Sequence, residues 1–101
     1  MEFKTIRADA ASEIWLSGRM EFTDHDRLVD IVTQLQDLGG SRVVLDLSEL
    51  EFIDSAGLGM LLILQEEAES RNTKLIVRGA AGDVRRSIEL ARLSEIITFE
   101  H

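Results

Sequence analysis

Residues 43–59 read VVLDLSELEFIDSAGLG and combine, in order, the signals of a strand, a loop and a helix. The first part alternates with a period of two and is rich in β-branched residues, which predicts a strand over residues 42–47. The apolar Phe52 and Ile53 predict a loop that runs back under the sheet. We expect Ser55 to begin the next helix as its N-cap, because a serine hydroxyl can accept from amides of the first turn.

The helix that follows Ser55 has two glycines near its start, Gly57 and Gly59. Each lowers helix stability by up to about 1 kcal/mol relative to alanine, so a neighbouring strand or a binding partner requires a bare backbone there. One interpretation is a capped helix whose glycines permit close packing. The other is a regulated hydroxyl, since a phosphate on Ser55 would lie at the positive end of the helix dipole. The spacing alone leaves both interpretations open.

The rest of the chain alternates predicted strands and helices around this unit. The predicted strands cover residues 2–6, 13–17, 42–47, 74–78 and 96–99. Apolar spacing predicts helices that begin at Thr23 or Asp24, at Ser55 and at Asp83, and the first of them ends at Gly39-Gly40. The order β-β-α-β-α-β-α-β implies an α/β fold with a mixed, mostly parallel sheet.

The predicted strands alternate apolar with polar residues, whereas strands that are covered on both faces are continuously apolar. We therefore expect the helices to lie mainly on one face of the sheet and the other face to be largely open. Trp15, Val44 and Ile76 would form an apolar strip on that open face. The first strand, a second copy or a partner could cover the strip, and we expect a monomer or a weak dimer.

The chain has 101 residues, of which 45% are hydrophobic and 30% charged, so it is expected to form one globular domain over residues 1–101. The net charge of −8 argues against a nucleic-acid partner, because proteins that bind nucleic acids normally have a basic surface. The longest apolar run, residues 56–64, is far shorter than the ~20 residues of a membrane span. With no cysteine and no leader-like segment, the sequence predicts a cytoplasmic protein without a membrane partner.

The motif LDLS at residues 45–48 is followed by DSAGLG at residues 54–59. Together with the elements that follow residue 74, these motifs resemble the STAS domain of bacterial anti-sigma factor antagonists. The likeness covers roughly residues 14–99. It implies a single STAS domain, with the helices mainly on one face of its sheet, and it implies that Ser55 is a phosphorylation site.

The same resemblance implies a non-enzymatic signal-transduction switch that regulates transcription and needs no cofactor. The unphosphorylated protein would bind a serine kinase that is also the anti-sigma factor, and a serine phosphatase would restore Ser55 after phosphorylation. The expected partner contacts are Asp54, Ala56, Gly57, Gly59 and Met60 in the helix, and Glu21, Phe22 and Asp24 in an earlier loop. Helical spacing favours Leu58 as a core residue and Met60 as an exposed apolar contact.

The loop over residues 18–24 departs from the family pattern, which is close to Gly-Glu-Leu-Asp. Gly18 matches and Glu21 stands where the aspartate is expected, but Arg19 and Phe22 differ in character. The identity of the partner therefore stays open. The alternative is an accessory STAS subunit of a transporter or a signalling scaffold, in which Ser55 is not phosphorylated.

Enzymatic and metal-binding interpretations find less support in the sequence. A phosphotransfer enzyme would need a general base beside Ser55, and Asp54 is the adjacent candidate. His25 and His101 stand at no metal-ligand spacing, so we expect no metal site. No lysine follows a glycine-rich loop as nucleotide hydrolysis requires.

Overall fold

The computed structural model of the chain describes residues 1–8, 11–38 and 41–100. The order of its elements confirms the prediction, since five strands and three helices follow one another as β-β-α-β-α-β-α-β. Their bounds are β1 Glu2–Ile6, β2 Ser12–Met20, α1 His25–Leu38, β3 Arg42–Ile53, α2 Ser55–Ser70, β4 Lys74–Arg78, α3 Gly82–Leu90 and β5 Thr98–Glu100. Two 3-10 turns, Phe22–Asp24 and Leu93–Glu95, precede α1 and β5.

The five strands form one sheet in the order β1-β2-β3-β4-β5, which is also their order along the chain. β1 pairs antiparallel with β2. Every later pair is parallel. The sheet is therefore mixed and mostly parallel, as predicted. Because parallel strands point the same way, the carboxyl ends of β2 and β3 lie at one end of the sheet, where α1 and α2 begin.

One hydrophobic core lies between the sheet and all three helices. Buried side chains of the helices, such as Ile31, Leu61 and Val84, join one cluster with alternate strand residues such as Leu45 and Val77. Apolar burial of this kind is the main source of stability, at about 25 cal/mol per Å² removed from water. The clustering confirms that the helices lie on one face of the sheet.

The opposite face of the sheet carries polar side chains rather than an exposed apolar strip. Val44 and Ile76 of the expected strip are 8% and 2% exposed, so the chain itself covers both residues without a second copy or a partner. Arg78 occupies this face, with Nε 2.8 Å from Asp46 Oδ2 and a second nitrogen 3.4 Å from Glu13 Oε1. Its guanidinium also lies 5.6 Å from the centroid of the Trp15 ring, which is half-buried. Charged side chains of the chain itself thus occupy the face that we expected to be open.

β3 is twice as long as predicted, because its second half pairs with an extended β2. The predicted loop through Phe52 and Ile53 is therefore wrong. The pairing register shifts between Trp15 and Ser17 and between Gly18 and Arg19. Such β-bulges change which side chains face the core, so the buried residues of this half recur every third residue, at Leu47, Leu50 and Ile53.

Several other predicted element ends differ from the structure or lie outside it, and α1 begins at His25 rather than at Thr23 or Asp24. The N-cap of α3 is Ala81, and Asp83 lies within the first turn, where its charge suits the helix dipole. The last strand is Thr98–Glu100, and the buried Ile97 precedes it. The helix end predicted at Gly39-Gly40 lies outside the described residues. No helix of the described part of the chain is long and apolar enough to cross a membrane.

Candidate functional site

Ser55 is the first residue of α2 and its side chain is exposed. The N-cap is Asp54, which has extended backbone and accepts a hydrogen bond from the Gly57 amide through Oδ1 at 2.8 Å. The prediction that Ser55 is the cap is therefore wrong, because the carboxylate one residue earlier holds that position. The hydroxyl of Ser55 lies outside the cap, on the surface of the first turn of the helix.

Asp54 connects the end of β2 to the start of α2. Its second carboxylate oxygen, Oδ2, accepts from the Phe22 amide at 3.2 Å. Its own amide donates to the Met20 carbonyl, also at 3.2 Å. One aspartate thus fixes the loop that carries Phe22 next to the turn that carries Ser55, and two segments more than thirty residues apart in sequence form one surface.

Asp24 is buried below this loop, and its contacts lie within the chain. Its Oδ2 accepts from the Glu21 amide and its Oδ1 from the Met1 amino group, both at 2.9 Å. Burial by itself disfavours the charged carboxylate. The hydrogen bond from Glu21 and the interaction with the Met1 ammonium outweigh burial and hold the pKa of Asp24 below its ordinary value. The structure therefore gives Asp24 an internal role in positioning the loop.

The two glycines of α2 have different surroundings. A Cβ added to Gly57 would lie 2.3 Å from the Met20 carbonyl oxygen and 2.7 Å from Ile53 Cγ1. Close packing against the strand ends therefore requires this glycine. A Cβ added to Gly59 would meet nothing within 4 Å. Close packing thus explains why residue 57 is a glycine. No contact within the chain explains why residue 59 is one.

A groove of about 610 Å³ opens between α1 and α2, and Ala56, the residue after Ser55, is part of its lining. Its apolar lining consists of Phe22, Leu28, Ala56, Gly59, Met60 and Ile63. Met60 is only 5% exposed, so the expectation of an exposed methionine is wrong. Phe22, at 78% exposed, and Ile63, at 47%, are instead the most accessible apolar side chains here. Leu58 packs against the core cluster, which agrees with its expected role.

The groove includes residues that the sequence analysis missed, namely Leu28 and His25 of α1 and Ile63 of α2. Ala56, Met60 and Ile63 follow one another at spacings of four and three, which is one face of a helix. That spacing was visible in the sequence. The residues of α1 that form the other side of the groove could not be predicted, because their position beside α2 depends on tertiary packing.

Arg19, one of the residues that depart from the family pattern, is held against the end of β3. Its Nε lies 3.1 Å from Glu21 Oε1, and its guanidinium lies 4.1 Å from the centroid of the Phe52 ring. Glu21 is thus paired within the chain. Within the described part of the chain, no group of three or more His, Cys, Asp or Glu side chains is placed to hold a metal ion.

The fold and the site together define a small α/β domain that presents a serine at a helix start beside an apolar groove. The chain belongs to the family described as Mlab, STAS domain, whose model matches residues 3–98. A STAS-domain-containing protein of Pseudomonas aeruginosa is 26% identical to it over 83 residues, which are 82% of this chain and 81% of that protein.

Several solved structures share this fold over most of the length of the chain. The anti-sigma factor antagonist SpoIIAA of Bacillus has a TM-score of 0.77 in its unphosphorylated form, at 19% identity, covering 99% of this chain and 89% of that one. The phosphorylated form has a TM-score of 0.70 at 18% identity, covering 99% and 92%. A sulfate transporter family protein of Wolinella succinogenes has a TM-score of 0.74 at 19% identity, covering 95% and 81%. The fold is therefore one that anti-sigma factor antagonists share with a sulfate transporter family protein.

Proposed function

We propose that this protein is an anti-sigma factor antagonist, a cytoplasmic binding switch controlled by phosphorylation of Ser55. The unphosphorylated protein binds a serine kinase that is also an anti-sigma factor, phosphorylation releases that partner, and a serine phosphatase restores the hydroxyl. The protein acts by binding, and Ser55 is the substrate of the kinase. The observation that carries the proposal is the exposed Ser55 at the first position of α2, beside the groove that Phe22 and Ile63 border.

The site can accept a phosphate without loss of the fold. Ser55 is exposed, its hydroxyl takes no part in the cap, and the N-terminus of a helix favours negative charge. Phosphorylation would add about −1.5 to −2 charges at this point. Burying that charge inside a packed contact is unfavourable by several kcal/mol unless a cation meets it. The phosphate would therefore oppose binding locally while the domain stays folded.

The test compares two substitutions of Ser55 in binding to purified serine kinases of the anti-sigma type from the same organism. We expect Ser55→Ala to bind like the unphosphorylated protein and Ser55→Glu to bind about a hundredfold more weakly, which corresponds to ~2.7 kcal/mol. Ser94 is also exposed and lies in the 3-10 turn before β5. Ser94→Glu is therefore the matched control for added charge and should bind like wild type.

Mass spectrometry after incubation with the kinase and ATP should find phosphate on Ser55. The proposal is wrong if Ser55 stays unmodified, or if Ser94→Glu weakens binding as much as Ser55→Glu. Calorimetric titration of the three variants measures both affinities and stoichiometry.

A second candidate function is an accessory STAS subunit of a transporter, and the likeness to the sulfate transporter family protein favours it. In that case the complex is permanent, and Ser55→Ala and Ser55→Glu co-purify with the same membrane protein in equal amounts. The comparison of the two variants therefore separates the two functions.

A further inference from the structure

The groove between α1 and α2 has a buried apolar floor and an exposed apolar border. Leu28 and Met60 in its lining are 4% and 5% exposed, whereas Phe22 is 78% and Ile63 is 47% exposed. An aromatic ring that is left so far in water beside a hydrophobic depression is typical of a binding surface. The occupant must therefore present apolar side chains that fill the depression and cover the ring of Phe22.

The backbone of the groove walls indicates the conformation of the occupant. Most of the lining residues lie in the 3-10 turn before α1 and near the starts of α1 and α2. Amides at these starts are already used within the chain, since those of Phe22 and Gly57 donate to the Asp54 side chain and that of Leu58 donates to the Asp54 carbonyl. The walls therefore offer no ladder of free amides and carbonyls to an extended segment, so a strand laid in the groove would leave its own backbone unpaired. A helix satisfies its own backbone and packs by side chains alone.

The charges around the groove indicate the chemistry of the occupant's flanks. Arg27, which follows Asp26 in α1, is paired with Glu2 at 3.5 Å. Among the described residues that line the groove, Asp26 is the one carboxylate, and no lysine or arginine is present. This acidic setting favours a positively charged occupant through complementary potentials.

We infer that the groove receives an amphipathic helix of the partner protein, with its apolar side on Phe22, Met60 and Ile63 and with lysine or arginine on the flank that faces Asp26 of α1, whereas Ser55 belongs to the opposite wall, α2. The inference rests on the proposed function, because it names the segment that the switch releases. Ser55 and Gly59 lie four residues apart and thus on one side of α2. The missing side chain of Gly59 leaves open space there, so the partner helix approaches the backbone of α2 directly beside the phosphorylation site.

The experiment uses the full chain and synthetic peptides of about 14 residues, which is four helical turns. One peptide has a leucine face and lysine flanks, a second has the same face with glutamate flanks, and a third is the lysine peptide with a central proline. Methyl NMR reports the position of binding. Ile63 and Met60 lie in the groove, whereas Ile6, at 45% exposed, and Ile96, at 57%, are matched exposed isoleucines away from it.

We expect the lysine peptide to shift the methyl signals of Ile63 and Met60 and to leave those of Ile6 and Ile96 in place. The glutamate and proline peptides should bind at least tenfold more weakly. A Cβ added at Gly59 meets nothing within 4 Å, so we expect Gly59→Leu to keep the fold, as thermal unfolding checks, and to abolish peptide binding. Equal binding of all three peptides, shifts at Ile6 or Ile96, unchanged binding by Gly59→Leu, or no binding of the lysine peptide would each overturn the inference.

The experiment distinguishes failure of the helix-binding site from failure of the proposed phosphorylation switch. If the lysine peptide binds in the groove but Ser55→Glu binds it as tightly as wild type, the helix site stands and the phosphorylation switch is wrong. If no peptide binds while the kinase complex still depends on Ser55, the switch stands and the helix site is wrong.

Discussion

Asp54 and Ser55 are neighbours in the chain but have separate tasks. Asp54 caps α2 and also accepts from the Phe22 amide, whereas the side chain of Ser55 takes no part in the cap. Sequence reasoning placed the cap one residue too late because serine and aspartate are equally good caps. A single exposed hydroxyl can therefore be modified without disturbing the helix start.

The first prediction follows from the separate roles of Asp54 and Ser55. Asp54→Ala should lower the free energy of unfolding by about 0.5–2 kcal/mol, because it removes the cap. Ser55→Ala should change the free energy by less than about 0.5 kcal/mol, as expected for an exposed surface position. Urea unfolding of both variants measures the difference. A Ser55→Ala variant as unstable as Asp54→Ala would show that the hydroxyl stabilises the helix start.

The second prediction uses the two glycines as a matched pair. Gly57→Ala places a methyl group 2.3 Å from the Met20 carbonyl oxygen, so it should destabilise the fold by about 1–3 kcal/mol. Gly59→Ala meets no atom within 4 Å and should stabilise the helix by up to about 1 kcal/mol. Thermal unfolding should thus move in opposite directions for the same chemical change. Equal shifts would mean that the backbone near Met20 gives way.

At the scale of elements, the short strands that pair with a neighbour without a register shift were predictable. Glu2–Ile6 and Lys74–Arg78 were predicted with the bounds that the structure shows. The second half of β3 was missed because the register shifts against β2 turn its buried positions to a spacing of three. A bulge depends on the partner strand, so the sequence of one strand does not reveal it.

The candidate site, too, could be predicted only in part from the sequence. The position of Ser55 at the start of a helix followed from local signals and from the family resemblance. The burial of Asp24 and Met60 and the exposure of Ile63 depend on where α1 lies against α2. That packing brings together residues distant in the chain, which periodicity within one helix cannot describe.

The third prediction concerns the ion pair that joins β3 to β4. Burial opposes the charge of Asp46, but hydrogen bonds from the Ser48 hydroxyl and amide and from Arg78 outweigh it, so the pKa of Asp46 lies below its ordinary value of 3.8. A lowered folded-state pKa adds stability that is present above the ordinary value and is lost as the pH falls through the folded-state value. Asp46→Asn should therefore lower the unfolding free energy at pH 7 by about 1.5–3 kcal/mol.

That difference should shrink once the pH falls below 3.8, as denaturant titrations at a series of pH values would show. Glu89→Gln is the control, since it breaks the exposed pair with Arg85, 2.9 Å long, on the surface of α3. Such pairs contribute about 0.3–0.5 kcal/mol. An Asp46→Asn effect that stays constant down to pH 2, about two pH units below the ordinary value, would show that the charge of Asp46 is irrelevant.

At the scale of the whole molecule, the face of the sheet away from the helices determines whether copies associate. Arg78 pairs there with Asp46 and Glu13 and lies over Trp15, and the chain carries a net charge of −8. Both features oppose stacking of two copies through this face. The fourth prediction is therefore a monomer whose sedimentation coefficient and Trp15 emission do not change from micromolar to near-millimolar concentration.

Arg78→Ala is the control for this measurement, because it removes the guanidinium 5.6 Å from the ring centroid and should shift the emission of Trp15 to the red. A blue shift of the wild-type emission with rising concentration, together with faster sedimentation, would instead establish a dimer through this face.

The spatial order of the strands, β1-β2-β3-β4-β5, is the order in which a ribosome makes them. No strand has to wait for a later one to be inserted beside it, since each new strand pairs with the one synthesised just before. Because domains fold during synthesis at about 5–20 residues per second, far more slowly than a hairpin or a helix forms, the sheet can grow one strand at a time as the nascent chain emerges. The start of α2, with Ser55, would then be in place on three paired strands while the C-terminal third is still being translated.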